Sequence, residues 1–485
     1  MTPRRLRCRV ARFWFATCLS LPVPAWAHAF GERYDLPVPL GYFLVGAALA
    51  VALSFVVAAL FMRAEPGKLR GEGLVVSLGP VLPALRIVCQ VLSVALLCAV
   101  VVAGLFGTRN PEMNLAPVFV WIVWWVGLSF LVACTGNIWS ALDPWRAIYE
   151  WGNAAARRAG FARGLFLGFN YPASLGAWPA VFLLLLFVWI EVLYPHSVMP
   201  YRLASMVLGW SAVTLLGMMC FGSAAWRRNA DVFSLYFSAI GRFAAVGAGP
   251  DARSIVLRLP GSGLIASPVK SFAMVAFVIT MLATVLFDGL LGTQALILVR
   301  RAAIGWLPQL ANDRGYFLGT ASLLFVWLSF LGAYLLSSFA TARLVPDRPA
   351  GAVARLFALT LVPIAIAYNV AHYFTYLVVH GQLIIPLISD PLGRGWDLFG
   401  TIRFYPDIGI VSARATWHLA IVSIVVGHII SIWLAHRLAL REYRTPGEAV
   451  MASVPLTVLM VVFTVISLLV MAEPLVQFGT PGTPS

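Results

Sequence analysis

Ten apolar stretches, near residues 40–62, 84–106, 115–134, 173–193, 203–224, 271–291, 316–340, 355–380, 413–436 and 450–472, constrain this chain more than any other feature. A hydrocarbon layer about 30 Å thick is crossed by about 20 apolar residues at the helical rise. The lengths suit helices, and the alternating pattern of a membrane barrel is absent. The expected fold is all-α: a polytopic integral membrane helical bundle of about ten transmembrane helices, forming a single domain over 28–485. With 61% hydrophobic and 11% charged residues, the chain has too little polar sequence for soluble domains.

Residues 1–27 read as a signal peptide, with Arg4, Arg5, Arg7, Arg9 and Arg12, a short apolar run from Phe13 to Val23, and Ala25-Trp26-Ala27 as the cleavage site. Cleavage puts the mature N-terminus, His28, outside the cytoplasm. The loops then expected to be cytoplasmic, 63–86, 135–172, 225–270, 341–355 and 437–449, hold 20 of the 34 Lys and Arg residues, as the positive-inside rule requires. These charges report topology rather than a nucleic-acid partner. The expected location is the bacterial inner membrane, multi-pass, with both mature termini external. One external loop, 292–315, dissents with Arg300, Arg301 and Arg314, and reads as an amphipathic segment lying along the interface over 295–310. Cys89, Cys98, Cys134 and Cys220 lack CxxC spacing, so no disulfide framework or cysteine zinc site is indicated. Trp121, Trp124, Trp125, Trp139, Trp145 and Trp151 read as interfacial anchors rather than a binding cage.

Ionisable groups within apolar spans are costly and by default functional. The eighth span carries Tyr368, His372, Tyr376 and His380 at i, i+4 spacing, widened by Asn369. The ninth carries His418, His428 and His436. The sixth ends with Thr280, Thr284 and Asp288, and the fourth with Glu191, followed by His196. At the helical rise, His372 lies about 12 Å and His418 about 9 Å below the outer ends of their spans, so the two face each other if the spans are neighbours. The expectation is an external-facing His/carboxylate cavity, with His428 and His436 as a deeper pair. His372 and His380 are too far apart on one helix to share an ion, so ligands must converge from different spans. No HxH, HxxxH or HExxH motif is present. The ordinary alternative is that each histidine bonds a neighbouring helix. After cleavage, the free amine and imidazole of His28 can together chelate copper.

Several stretches carry a resemblance: HAFGERYDLPVPL from His28 to Leu40, Gly136-Asn-Ile-Trp139 with Asp143-Pro-Trp-Arg146, Phe287-Asp-Gly289, Ala371-His-Tyr373, Gly381-Gln382, DPLGRGWDLFG from Asp390 to Gly400, Gly427-His428 and Ala435-His436. Together they resemble the bacterial membrane proteins named for fenitrothion hydrolase, over most of the mature chain. The resemblance implies a membrane-bound hydrolase of organophosphorus triesters that cuts the phosphorus to aryl-oxygen bond, with a second membrane subunit as partner and a small apolar substrate drawn from the bilayer. Chemistry to match that name would use a divalent metal, zinc or copper, to activate water. His372, His418, His380 and His28 are the metal-ligand candidates, and Asp288 and Glu191 the catalytic ones, as ligand or general base. There is no GxSxG, and nothing by spacing points to a nucleophilic Ser or Cys. The main alternative is a transporter, for example of a metal ion, built on the same His/Asp/Glu line, with Pro363 breaking the eighth span. A third reading sets a haem between His372 and His418.

Overall fold

The computed structural model describes residues 36–62, 73–307 and 315–475. The signal segment 1–27 and His28 lie outside the described residues. In chain order the main helices are α1 (Leu40–Phe61), α2 (Val81–Phe106), α3 (Leu115–Thr135), α4 (Pro144–Arg158), α5 (Trp178–Val192), α6 (Pro200–Phe221), α7 (Ser223–Asn229) and α8 (Val232–Gly241). They continue with α9 (Phe272–Leu291), α10 (Gln294–Trp306), α11 (Tyr316–Leu344), α12 (Ala350–Phe357), α13 (Val362–His380), α14 (Ala413–Glu442) and α15 (Pro446–Leu475). Strands β1 (Leu74–Ser77), β2 (Val246–Ala248) and β3 (Ser254–Leu257) form a small antiparallel sheet in the order β1-β3-β2. The fold is an all-α polytopic membrane bundle, and among the described residues nine helices are long and apolar enough to cross a bilayer.

The helices differ sharply in how much of them the protein covers. Over its most apolar stretch α9 is 78% buried, whereas α1 is 17% buried and α11 22%. Thus α9 is a central post, flanked by α5, α11 and α13, while α1 and α11 present most of their surface to lipid. Between apolar helices in lipid, close packing replaces the hydrophobic effect as the cohesive force, and small residues allow it. Gly427 of α14 lies against Ala367 and Pro363 of α13, and Gly289 of α9 lies against Val470 and the Tyr368 hydroxyl, where a Cβ would come within 2.9 and 3.1 Å.

Three local findings differ from the sequence expectation. The fourth apolar stretch forms a helix of only 15 residues, since Pro179 sits in its first turn and the residues before Trp178 are turns. The loop 225–270 contains α8, whose first six residues are all buried, so this short apolar helix is interior structure rather than a surface connection. Trp121, Trp125, Trp139 and Trp145 are buried, and only Trp151, 42% exposed, faces outward. Their rings pack on α8: Trp124 meets Phe233 edge-on at 4.6 Å, Trp125 lies 4.8 Å from Tyr236, and Trp145 stacks on Phe233 at 6.1 Å. The α8 helix takes up the apolar ring faces that would otherwise anchor in headgroups, so these residues build an internal aromatic layer. In the loop 292–315, which dissents from the positive-inside expectation, α10 buries no residue and exposes Leu298, Val299 and Trp306.

Candidate functional site

Two helix irregularities shape the site. Helix α3 starts at Asn114, a buried residue whose carboxamide accepts from Ala116 N and donates to the Ala103 and Thr108 carbonyls. It then widens into π-type turns over Val118–Gly127, which rotate Trp124 and Trp125 towards α8. The second irregularity is a tight 3₁₀ turn, Ala358–Leu361, that separates α12 from α13, with Pro363 in the first turn of α13 where its missing N–H costs nothing.

Asp288 near the end of α9 meets α13 at two adjacent residues. The His372 Nε2 lies 3.0 Å from Asp288 Oδ2, and the Tyr373 hydroxyl donates to the same oxygen at 2.6 Å. The side chains of His372 and Asp288 are 15% and 17% exposed, so the pair is shielded yet reachable. Glu191, at the end of α5, lies beside the Trp125 indole and within electrostatic reach of Asp288. Tyr236 of α8 lies beside Ser129 of α3 and Asn369 of α13, so the three helices meet at the same polar region, and its buried hydroxyl has no hydrogen-bond partner among the described residues. Thr280 and Thr284 bond back to carbonyls in their own helix, and Thr280 also accepts from Trp327, so they serve helix packing. Tyr368 has a buried hydroxyl with no partner among the described residues, and Tyr376 packs its ring on His380 at 5.1 Å.

The histidines expected to converge do not all do so. Helices α13 and α14 are neighbours, but Thr416, Trp417 and Ala420 form the inward face of α14, leaving His418 exposed with Nδ1 on the Arg414 carbonyl at 2.8 Å. His380 and His196 are also exposed. Counting depth from span ends assumed a common outer plane. Helix α13 instead runs past the end of α9, by about 7 Å at the helical rise, and so brings His372 level with Asp288. His428 and His436 are fully buried on α14, with Nδ1 on the Ile424 carbonyl and on Ser453 Oγ, and each Nε2 lacks a partner among the described residues. No three His, Cys, Asp or Glu side chains converge to hold a metal among the described residues. Asp288 and His372 are two donors, and a tetrahedral site needs a third from the protein. The described donor set alone does not complete a metal site.

Sequence reasoning missed Tyr373, which is one residue outside the i, i+4 stripe; its adjacency to His372 in Ala371-His-Tyr373 was the available signal. A carboxylate on an imidazole nitrogen fixes the ring and stabilises its protonated form, which is what general-base or relay chemistry requires.

A second buried acidic cluster lies outside the spans. Asp143 caps α4 by accepting from Arg146 N at 3.0 Å, and its other oxygen is 3.1 Å from Arg227 Nε. Asp231 accepts from Ser234 Oγ at 2.6 Å. Burial raises the pKa of Asp143, and burial together with the neighbouring Asp143 charge pushes Asp231 up to about 7. No protein-family model, curated protein or solved structure matches the chain.

Proposed function

We propose that the chain is a membrane-bound hydrolase of neutral, lipid-soluble organophosphorus triesters such as fenitrothion. The observation that carries this reading is the contact of His372 and Tyr373 with one oxygen of Asp288. His372 takes a proton from water as the water oxygen bonds to phosphorus, and the bond from phosphorus to the aryl oxygen breaks, its electron pair leaving on the aryl oxide. Asp288 orients the imidazole and stabilises its protonated form, and Tyr373 holds the carboxylate in place. Glu191 is the further acid of the site. In this reading the leader is cleaved, the protein sits in the inner membrane with both mature termini external, and the site faces outward.

Washed membranes bearing the chain should release nitrophenolate from fenitrothion, and His372→Ala should not, at equal amounts of inserted protein. Equal product from both would remove His372 from the reaction, and product from neither would end the reading for this chain alone. A transporter is the second reading, favoured by the break between α12 and α13, because interrupted helices mark binding sites in carriers. Ion accumulation by intact cells, lost in His372→Ala, would support it.

A further inference from the structure

One face of α11 changes chemistry where the apolar stretch ends. Phe325, Leu328, Leu336 and Phe339 are 72%, 56%, 68% and 48% exposed and share that face, with Gly332 between them opening on empty space. Arg343 continues the same stripe one turn further, and its guanidinium folds back over the Phe339 ring at 4.8 Å. Beside it a cavity of about 350 Å³ opens at the junction of α11 and α12, walled by Phe339, Ala342, Arg343, Asp347, Arg348 and Ala350.

The cavity has charge to spare. Asp347 lies 3.6 Å from both Arg348 and Arg444, and Glu442 lies 3.1 Å from both Arg348 and Arg441. Arg348 is further fixed by donating to the Glu442 carbonyl at 2.8 Å. Both carboxylates are therefore answered twice, while Arg343 has no carboxylate partner among the described residues. Arginines in excess at the edge of the hydrocarbon attract anions, and a guanidinium fork matches two oxygens of a phosphate.

We propose that this junction binds an anionic phospholipid. The headgroup phosphate accepts from Arg343 and Arg348, and an acyl chain lies along Phe339 and Leu336 towards Gly332. From Gly332 to Arg343 is about 16 Å at the helical rise, about half the thickness of the hydrocarbon layer, so the stripe has the reach of one leaflet. A free phosphate would satisfy the arginines equally well; the continuity of the apolar stripe with Arg343 favours the lipid. The site lies at the far end of α11 from the Asp288 cluster, and turnover has no bearing on it.

The test titrates the full chain, delipidated in detergent, with phosphatidylglycerol or phosphatidylcholine and counts bound lipids by native mass spectrometry. The first phosphatidylglycerol should bind about tenfold more tightly than the first phosphatidylcholine. Arg343→Gln changes an exposed side chain and should weaken that phosphatidylglycerol by about fivefold without altering phosphatidylcholine. Asp347→Asn removes the carboxylate from the wall and should tighten phosphatidylglycerol by about twofold or more. Equal affinity for the two lipids would overturn the proposal, as would a phosphatidylglycerol affinity that Arg343→Gln leaves unchanged or that Asp347→Asn lowers. Displacement of the lipid by inorganic phosphate at constant ionic strength would make this a site for free phosphate and overturn the lipid as its occupant.

Discussion

Two clusters in this protein bury carboxylates, and they neutralise them differently. At the C-terminal end of α9, Asp288 is compensated by an imidazole and a phenol, both of which can give up or accept a proton. Beside α4 and α8, Asp143 pairs with the guanidinium of Arg227, which also lies within electrostatic reach of Asp231 and is a fixed cation rather than a proton carrier. The first arrangement can pass a proton on. The second fixes charge and therefore holds structure: Asp143 caps α4 while bound to Arg227, which tethers α4 to α7. Burial alone does not distinguish a working acid from a structural one; the titration range of the partner does.

The largest effect should come from removing the titratable partner. His372→Ala should lower nitrophenolate release by about 10²–10⁴-fold, the usual contribution of a positioned general base, with little change in thermal unfolding. Asp143→Asn is the counter-test, since an equal loss of turnover there without loss of stability would dissolve the contrast. Next comes Arg227→Met, which leaves a buried carboxylate pair uncompensated and should cost about 3–5 kcal/mol of stability, read by unfolding in detergent. If Arg227→Met unfolds at the parent temperature, the guanidinium is not structural.

The sequence made one side of this contrast readable and hid the other. Apolar runs of membrane-crossing length show directly in composition, and so do rare ionisable residues inside them, which is why Asp288, Glu191 and His372 could be named in advance. Rotation about a helix axis is not fixed by hydropathy when every face is apolar. His418 therefore seemed to face His372, although the packing of Trp417 and Ala420 turns it away. Tyr373 was hidden for a related reason: Asp288 sits in the groove between two faces of α13 and takes a partner from each. The aromatic layer was hidden because α8 reads as part of a charged loop, flanked by Arg227, Arg228 and Arg242. Without α8 the α3 tryptophans lose much of the layer they pack on, Phe187 of α5 being the other part, and the membrane interface is the natural place to put them.

Within the Asp288 cluster, Tyr373→Phe deletes a hydroxyl bonded to a carboxylate and should lower turnover by about 10–100-fold, the worth of a hydrogen bond to a charged group. Tyr368→Phe, one turn away, removes a hydroxyl with no partner among the described residues and should change turnover by less than about threefold. Similar losses in both would mean that the region is sensitive to any change of shape.

The smallest effect separates the clusters by pH. The Asp231 carboxyl is pushed from its ordinary value near 3.8 up to about 7 by burial first and by the Asp143 charge second. A folded state that binds the proton more tightly than the unfolded chain is favoured while the proton is on. This contribution to stability is therefore lost as pH rises through about 7. Between about pH 6 and about pH 8 the parent should lose at most about 1.4 kcal/mol of stability on this account. Ser234 and Arg227 favour the charged form and reduce the effect. In Asp231→Asn the amide cannot titrate, so the unfolding temperature in detergent should be flatter over that range and higher than the parent's at the alkaline end. Turnover should keep its own pH dependence in Asp231→Asn, because the proposed reaction moves its proton through His372. If that substitution flattened the turnover profile as well, the two clusters would be coupled, and the guanidinium-held acids would belong to the proton path rather than to the frame around it.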